Sequence, residues 1–280
     1  MIEAPAPLAT PVIDSHTHLD VHDRDLHGST RPDITTLLDL AAQVNVTRVV
    51  QIGCDEESAR LSVEMAQDRP EVVVGVGIHP NDAARLVDRH GQQALTKALN
   101  TIEELSADPK VRAIGETGLD YFRTGEPLRP VQQDAFRWHI DLAKRSNKAL
   151  VIHDRDSHDD VIAILDEMGA PSTTIFHCFS GDRAMAELCA SRGWFMSFAG
   201  VVTYKNNDRL QEACRAVPDD LLLVETDAPY LTPVPFRGKP NASYLMPHTV
   251  RFMAELRGSD EATIGNHLFT NAQRAFGAWG

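Results

Sequence analysis

Eight short apolar runs recur along the chain and restrict its fold more than any other feature: Val12–Ile13, Arg48–Ile52, Val72–Ile78, Val111–Ile114, Ala149–Ile152, Thr173–Phe176, Trp194–Phe198 and Leu221–Val224. Between them lie stretches with helical spacing, such as Ile34, Leu37, Leu38 and Ala41, or Phe136, Ile140 and Ala143 at i, i+4 and i+7. Near-continuous apolar strands separated by amphipathic helices imply parallel strands buried on both faces. Eight of them fit one closed α/β barrel of the TIM type, (β/α)8, a fold that typically takes about 250 residues. The chain has 280 residues, and Pro247–Gly280 adds helix after the eighth strand as a C-terminal helical extension. No Ser/Gly-rich linker interrupts it, so residues 11–280 are expected to form one domain, preceded by a flexible arm over residues 1–10.

Charge and composition remove several classes of function. With 27 basic and 40 acidic residues the formal charge is −13, which argues against broad electrostatic wrapping of duplex nucleic acid. It leaves open a substrate whose phosphates meet cations locally. No apolar run approaches the roughly 18 residues of a membrane span. The opening MIEAPAPLATP has neither a basic start nor an apolar stretch, so no membrane partner is expected and a cytoplasmic location is. Cys54, Cys178, Cys189 and Cys214 contain no C-x-x-C pair and read as reduced, buried thiols.

Acid and imidazole side chains stand at the downstream ends of the apolar runs: His16, His18, Glu116, His153, His177 and Asp227. In a parallel barrel those ends share one rim, so residues far apart in sequence can converge there as divalent-metal ligands. In Val12-Ile13-Asp14-Ser15-His16-Thr17-His18, positions i and i+2 of a strand point to the same side, so both imidazoles can reach one ion. Taken alone, the H-x-H is as compatible with two structural histidines. Glu116, in Ile114-Gly115-Glu116-Thr117-Gly118-Leu119-Asp120, is a carboxylate able to bridge two cations, whereas Asp120 reads better as a cap or a solvated loop acid. His153 and His177 each end a run, and strand parity turns Cys178 away from His177 into the core. Asp227, in Val224-Glu225-Thr226-Asp227, is a ligand that can also take a proton from an attacking water. Glu225 shares its parity one step deeper and reads equally as a supporting partner for Arg155 or as its ordinary ion-pair partner at the barrel rim.

Taken together, the blocks VIDSHTHLD, GIHP, IGETGLDYFR, VIHDRD, HCFSG, SFAGVVTYKN, LLLVETDAPYL and PFRGKPN resemble, in order, the TatD family of metal-dependent deoxyribonucleases, within the amidohydrolase-like metal-dependent hydrolases. The resemblance covers nearly the whole chain from Pro11 onward. It implies a β/α barrel with two divalent metal ions, magnesium, manganese or zinc: His16, His18 and Asp227 on one, His153 and His177 on the other, Glu116 bridging. Related barrel hydrolases often place a carboxylated lysine where Glu116 stands here. Ala149, Ser157 and the segment after Asn241 depart from the usual pattern without touching a ligand position. The implied activity is exonuclease-like hydrolysis of DNA phosphodiesters, on single strands or ends, with Glu116 and Asp227 as the catalytic carboxylates. Two rival readings are an ester or amide hydrolase on the same site, such as an aminoacyl-tRNA deacylase, and a non-catalytic barrel. The last is disfavoured because all six ligand positions are filled.

Further residues qualify for the substrate side. His79, in Gly77-Ile78-His79-Pro80, ends the third run and is expected to face the site. Arg155 lies two residues past His153, and Arg237 and Lys239 sit in the segment after the eighth run, where a guanidinium can grip phosphate through a bidentate fork. Tyr121 and Phe122 either stack on a base or only cap the barrel. His22 and His27 read as solvated loop residues, and His90, His139, His158, His248 and His267 receive no role.

Overall fold

The computed structural model describes residues 2–20 and 32–279, so His22 and His27 lie outside the described residues. All eight expected runs are strands: β1 Val12–Thr17, β2 Val46–Gly53, β3 Val72–Val76, β4 Val111–Asp120, β5 Ala149–Arg155, β6 Thr174–Phe176, β7 Phe195–Phe198 and β8 Leu222–Val224. Their order in the sheet follows the chain from β1 to β8, and the fold is a TIM-type barrel. The helices are α1 Ile34–Gln43, α2 Glu56–Ala66, α3 Pro80–His90, α4 Gln92–Leu105, α5 Arg129–Ser146, α6 His158–Met168, α7 Arg183–Ser191, α8 Asp208–Ala216, α9 Met246–Arg257 and α10 Glu261–Phe276. The chain divides into two compact units, residues 1–51 with 181–280, and residues 52–180. No helix among the described residues is long and apolar enough to cross a membrane.

In the first unit β1 pairs with the start of β2 in parallel, and β7 with β8. The chain beyond β8 returns to β1: Asp227 N–H donates to the His16 carbonyl at 2.9 Å and His18 N–H to the Ala228 carbonyl at 2.8 Å. Helix α1 starts because the Asp33 carboxylate caps the Thr36 N–H at 2.9 Å, and it buries Leu37, Leu38 and Ala41, the face its spacing predicts. The C-terminal extension is α9 and α10, and α10 packs on β1 and β8. Within the segment expected as a flexible arm, residues 1–10, the described residues Ala6, Pro7 and Leu8 make specific contacts. Leu8 is buried, its N–H donates to the Val44 carbonyl at 3.1 Å, and Arg251 donates to the carbonyls of Ala6 and Pro7 at 2.8 and 3.0 Å.

In the second unit β3, β4, β5 and β6 pair in parallel succession. Helix α5 carries the predicted face of Phe136, Ile140 and Ala143, all buried, and ends at Asn147 in the left-handed region with φ 51°. Strand β4 runs well past its apolar run, and two glycines explain how. Gly115 (φ 137°) and Gly118 (φ 130°) lie so close to β5 that a Cβ would stand 2.3 Å from the Val151 carbonyl oxygen and 2.1 Å from that of His153. Only glycine takes both the conformation and the approach. The register slips between them: Ile114 faces Leu150 but Thr117 faces Ile152, so one extra residue of β4 is accommodated around Glu116.

Candidate metal centre

The expected site residues fall into two groups, one in each unit. In the first unit His16 and His18 do share one side of β1, as the two-residue spacing requires. Their Nε2 atoms are 3.3 Å apart and lie 3.8 and 3.3 Å from Oδ1 of Asp227. Two neutral imidazoles cannot point lone pairs at each other at that distance without a proton or a cation between them. Asp227 reaches this position from a backbone in the left-handed region, φ 51°, which Asp tolerates better than most residues. Its side chain is 15 % exposed against 10 % for His18 and 0 % for His16, so it is the most exposed member of the group.

Below the pair lies Asp14, which the sequence reading passed over. Its carboxylate is fully buried and accepts hydrogen bonds from Thr226 N–H (2.9 Å), Thr226 Oγ1 (2.6 Å) and Ser243 Oγ (2.7 Å). Burial pushes its pKa up to about 7 against the opposing pull of those donors. The signal was available: Asp14, His16 and His18 share one parity on the strand, and Asp14 locks the residue next to Asp227. Glu225 is also fully buried, with its N–H on the Phe198 carbonyl at 3.2 Å.

In the second unit three ring nitrogens converge on one oxygen. Glu116 Oε1 stands 2.6 Å from His153 Nδ1, 2.9 Å from His177 Nε2 and 3.6 Å from His79 Nε2, while Cys54 Sγ donates to Oε2 at 3.6 Å. His79, expected on the substrate side, thus belongs to the cluster itself. Glu116, His153 and His79 each offer a ligand atom within 4.8 Å of the others. The Nδ1 of His79 accepts the Asn81 N–H at 3.1 Å, which leaves the ring proton on Nε2, facing Glu116. Burial holds this imidazole neutral by pushing its pKa down to about 3, against the attraction of Glu116.

Of the two expectations for Asp120, a cap or a solvated loop acid, the Arg123 N–H three residues on fits the first and burial removes the second. Asp120 is buried; Oδ2 accepts from Asn81 Nδ2 at 2.7 Å, Oδ1 from Arg123 N–H at 2.9 Å, and its own N–H donates to Gln132 Oε1 at 2.9 Å. Oδ2 lies 3.4 Å from the buried Nε2 of His153, a nitrogen that no group among the described residues meets with hydrogen-bond geometry. Burial would raise the Asp120 pKa, yet His153, Asn81 and the Arg123 amide together hold it below the usual carboxylate range. For His153 burial acts to lower the pKa, and the Asp120 and Glu116 carboxylates outweigh it and raise it. A cation on Nδ1 would relieve the imidazole of that extra proton. The donor set, imidazole and carboxylate crowded on shared points, therefore fits a divalent metal in each unit.

His139 also has partners that the sequence reading did not foresee: its Nε2 accepts the Ile78 N–H at 3.1 Å and its Nδ1 donates to the Ala135 carbonyl at 2.7 Å. Cys178 is half-buried at φ 42°, not a core residue, because β6 ends at Phe176 and strand parity no longer applies beyond it. The arginines lie on aromatic rings. Arg155 sits 3.9 Å over Phe122 and Arg237 4.4 Å over Tyr204, both exposed, and among the described residues neither forms an ion pair. The Arg237 loop is docked on the segment after β7 by Val234 N–H on Thr203 Oγ1 (2.9 Å) and Tyr204 OH on the Thr232 carbonyl (3.1 Å).

Comparison with known proteins points to one family. The family model described as TatD related DNase matches residues 13–277. An uncharacterized metal-dependent hydrolase, TatD, of Mycobacterium tuberculosis is 42% identical over 275 residues, covering 95% of this chain and 98% of the relative. An uncharacterized metal-dependent hydrolase, YabD, of Bacillus subtilis is 36% identical over 266 residues, covering 95% and 98%. The crystal structure of YJJV, a TatD homolog from Escherichia coli K12, superposes with a TM-score of 0.84 at 26% identity, covering 95% of this chain and 98% of that one. The chain belongs to the TatD-related DNase family, and with it to the metal-dependent hydrolases.

Proposed function

We propose that the protein hydrolyses phosphodiester bonds of DNA, as an exonuclease-like enzyme on single strands or ends, with two divalent metal ions per chain. The observation that carries this reading is the convergence of three ring nitrogens on Glu116 Oε1 in one unit and of His16 and His18 on Asp227 Oδ1 in the other. His16, His18 and Asp227 would hold one ion, and Glu116, His153 and His177 the other. When bound, such ions lower the pKa of water toward neutrality and offset charge on a phosphoryl group.

The chain's own groups do the rest. Asp227, the most exposed of its group, orients the attacking water and takes its proton. Asp14, through Thr226, holds the backbone from which Asp227 projects. Glu116 keeps His153 and His177 aligned. The Nε2–H of His79, 3.6 Å from Glu116 Oε1, places a hydrogen-bond donor at the edge of the ligand cluster, where a substrate oxygen can meet it. Arg155 and Arg237, without acid partners among the described residues, offer guanidinium groups to backbone phosphates, and Lys239 adds a point charge. None of these groups reads a base edge, so cleavage should depend little on sequence.

The test is metal analysis of the purified protein combined with cleavage of labelled single- and double-stranded DNA, run beside an aminoacyl ester. Metal-dependent release of nucleotides from the DNA is expected. Ester turnover without DNA cleavage would move the assignment to a deacylase or esterase.

A further inference from the structure

We infer that Phe122 and Arg155 form a stacking platform for one unpaired nucleobase of the substrate strand, an inference that rests on the phosphodiesterase reading above. Phe122 is 60 % exposed, the highest value for a large hydrophobic side chain among the described residues. A phenyl ring left this exposed adds little burial to the core. The neighbouring Tyr121 is different. Its hydroxyl donates to Asp160 Oδ2 at 2.6 Å and accepts from Gln133 Nε2 at 2.7 Å, and Arg129 covers its ring at 4.2 Å. Of the two aromatics after β4, one is built into the protein and the other is presented.

Arg155 holds the presented ring in place. Its guanidinium lies 3.9 Å over the Phe122 centroid, and β4 and β5 are in register there, with Asp120 opposite Arg155 and Tyr121 N–H on the Arg155 carbonyl at 2.9 Å. No acid pairs with this guanidinium among the described residues, so its remaining donors can meet a phosphate while its plane and the phenyl ring offer π surface. The platform adjoins the metal-ligand cluster of its own unit. Asp120 lies 3.4 Å from His153, and the two residues from Asp120 to Phe122 span at most about 7 Å. A base inside a duplex already has both faces stacked on its neighbours. A base within a duplex must leave its stack to lie on Phe122, so the platform favours single strands and frayed ends over duplex interiors.

Steady-state kinetics on a single-stranded oligonucleotide and on the same strand with abasic residues at both ends test this. For Phe122→Ala the KM on the intact strand should rise about 5- to 140-fold with kcat within about twofold, the range that loss of one base stack gives. Phe122→Trp should restore it. On the abasic strand the wild type should already show the raised KM, and Phe122→Ala should add nothing further. An unchanged KM in Phe122→Ala, or an equal rise on intact and abasic strands, overturns the platform while leaving the nuclease reading standing. Failure of the metal-loaded wild type to cleave either strand overturns both.

Discussion

Replacing His139 by Phe separates a hydrogen-bonding role from a proton-linked one. The imidazole is fully buried in α5, accepts the Ile78 N–H at 3.1 Å and has its pKa pushed down to about 4 by burial, against an ordinary value of 6.5. Its folded-state pKa is depressed, so between pH 6.5 and 4 the unfolded chain binds the extra proton and stability falls as pH falls. From pH 7.5 to 4.5 this one group removes about 2.5 kcal/mol. Phe fills the volume without titrating but leaves the Ile78 N–H unpaired, at about 1–3 kcal/mol, at every pH. Urea unfolding of wild type and His139→Phe at both values should show the variant weaker at pH 7.5, with the gap narrowed by about 2.5 kcal/mol, or reversed, at pH 4.5. The other histidines titrate in both proteins and cancel. A gap independent of pH would mean that His139 is not held neutral, and the hydrogen bond to Ile78 would lose its meaning.

Gly118→Ala places a Cβ 2.1 Å from the His153 carbonyl at a φ of 130°, and should cost at least about 3 kcal/mol in urea unfolding. Gly125→Ala, at φ −68° and with its nearest neighbour 3.8 Å away, should stay within about 0.5 kcal/mol of wild type. Arg237→Ala should weaken DNA binding alike across sequences and lower the salt dependence by about one phosphate contact, with normal metal content, as read from binding titrations at several salt concentrations. The acid limb of activity should move to lower pH as metal concentration rises. The Asp120 and Glu116 carboxylates raise the His153 pKa, so protons compete with metal for this ligand, and rate profiles at two metal concentrations check it.

Eight strands were legible because parallel strands buried on both faces leave unbroken apolar runs, and the ligand candidates followed from where those runs end. Strand parity read His16 and His18 correctly. It failed at Cys178, which lies past the end of β6, and it could not foresee the extra residue of β4 that the register accommodates around Glu116. The cap that Asp120 makes on the Arg123 N–H is local, but its burial was not legible because its partners Asn81 and Gln132 come from other helices, and pairing across the fold leaves no local pattern. His139 escaped notice for the same reason, since its acceptor role depends on the backbone of Ile78, 61 positions away. The first ten residues, rich in Pro and Ala, gave no sign that Leu8 and the carbonyls of Ala6 and Pro7 have receiving sites.

The most direct test of the metal-centre account is the metal content and DNA-cleaving activity of Glu116→Gln measured beside the wild type. The wild type should carry about two divalent ions per chain and lose activity to a chelator. The variant should fold, as judged by an unchanged unfolding cooperativity, yet lose at least one ion together with its activity, because the three ring nitrogens around Oε1 then face an amide instead of a carboxylate. Wild-type activity that survives chelation, or a variant with full metal and full activity, would contradict it.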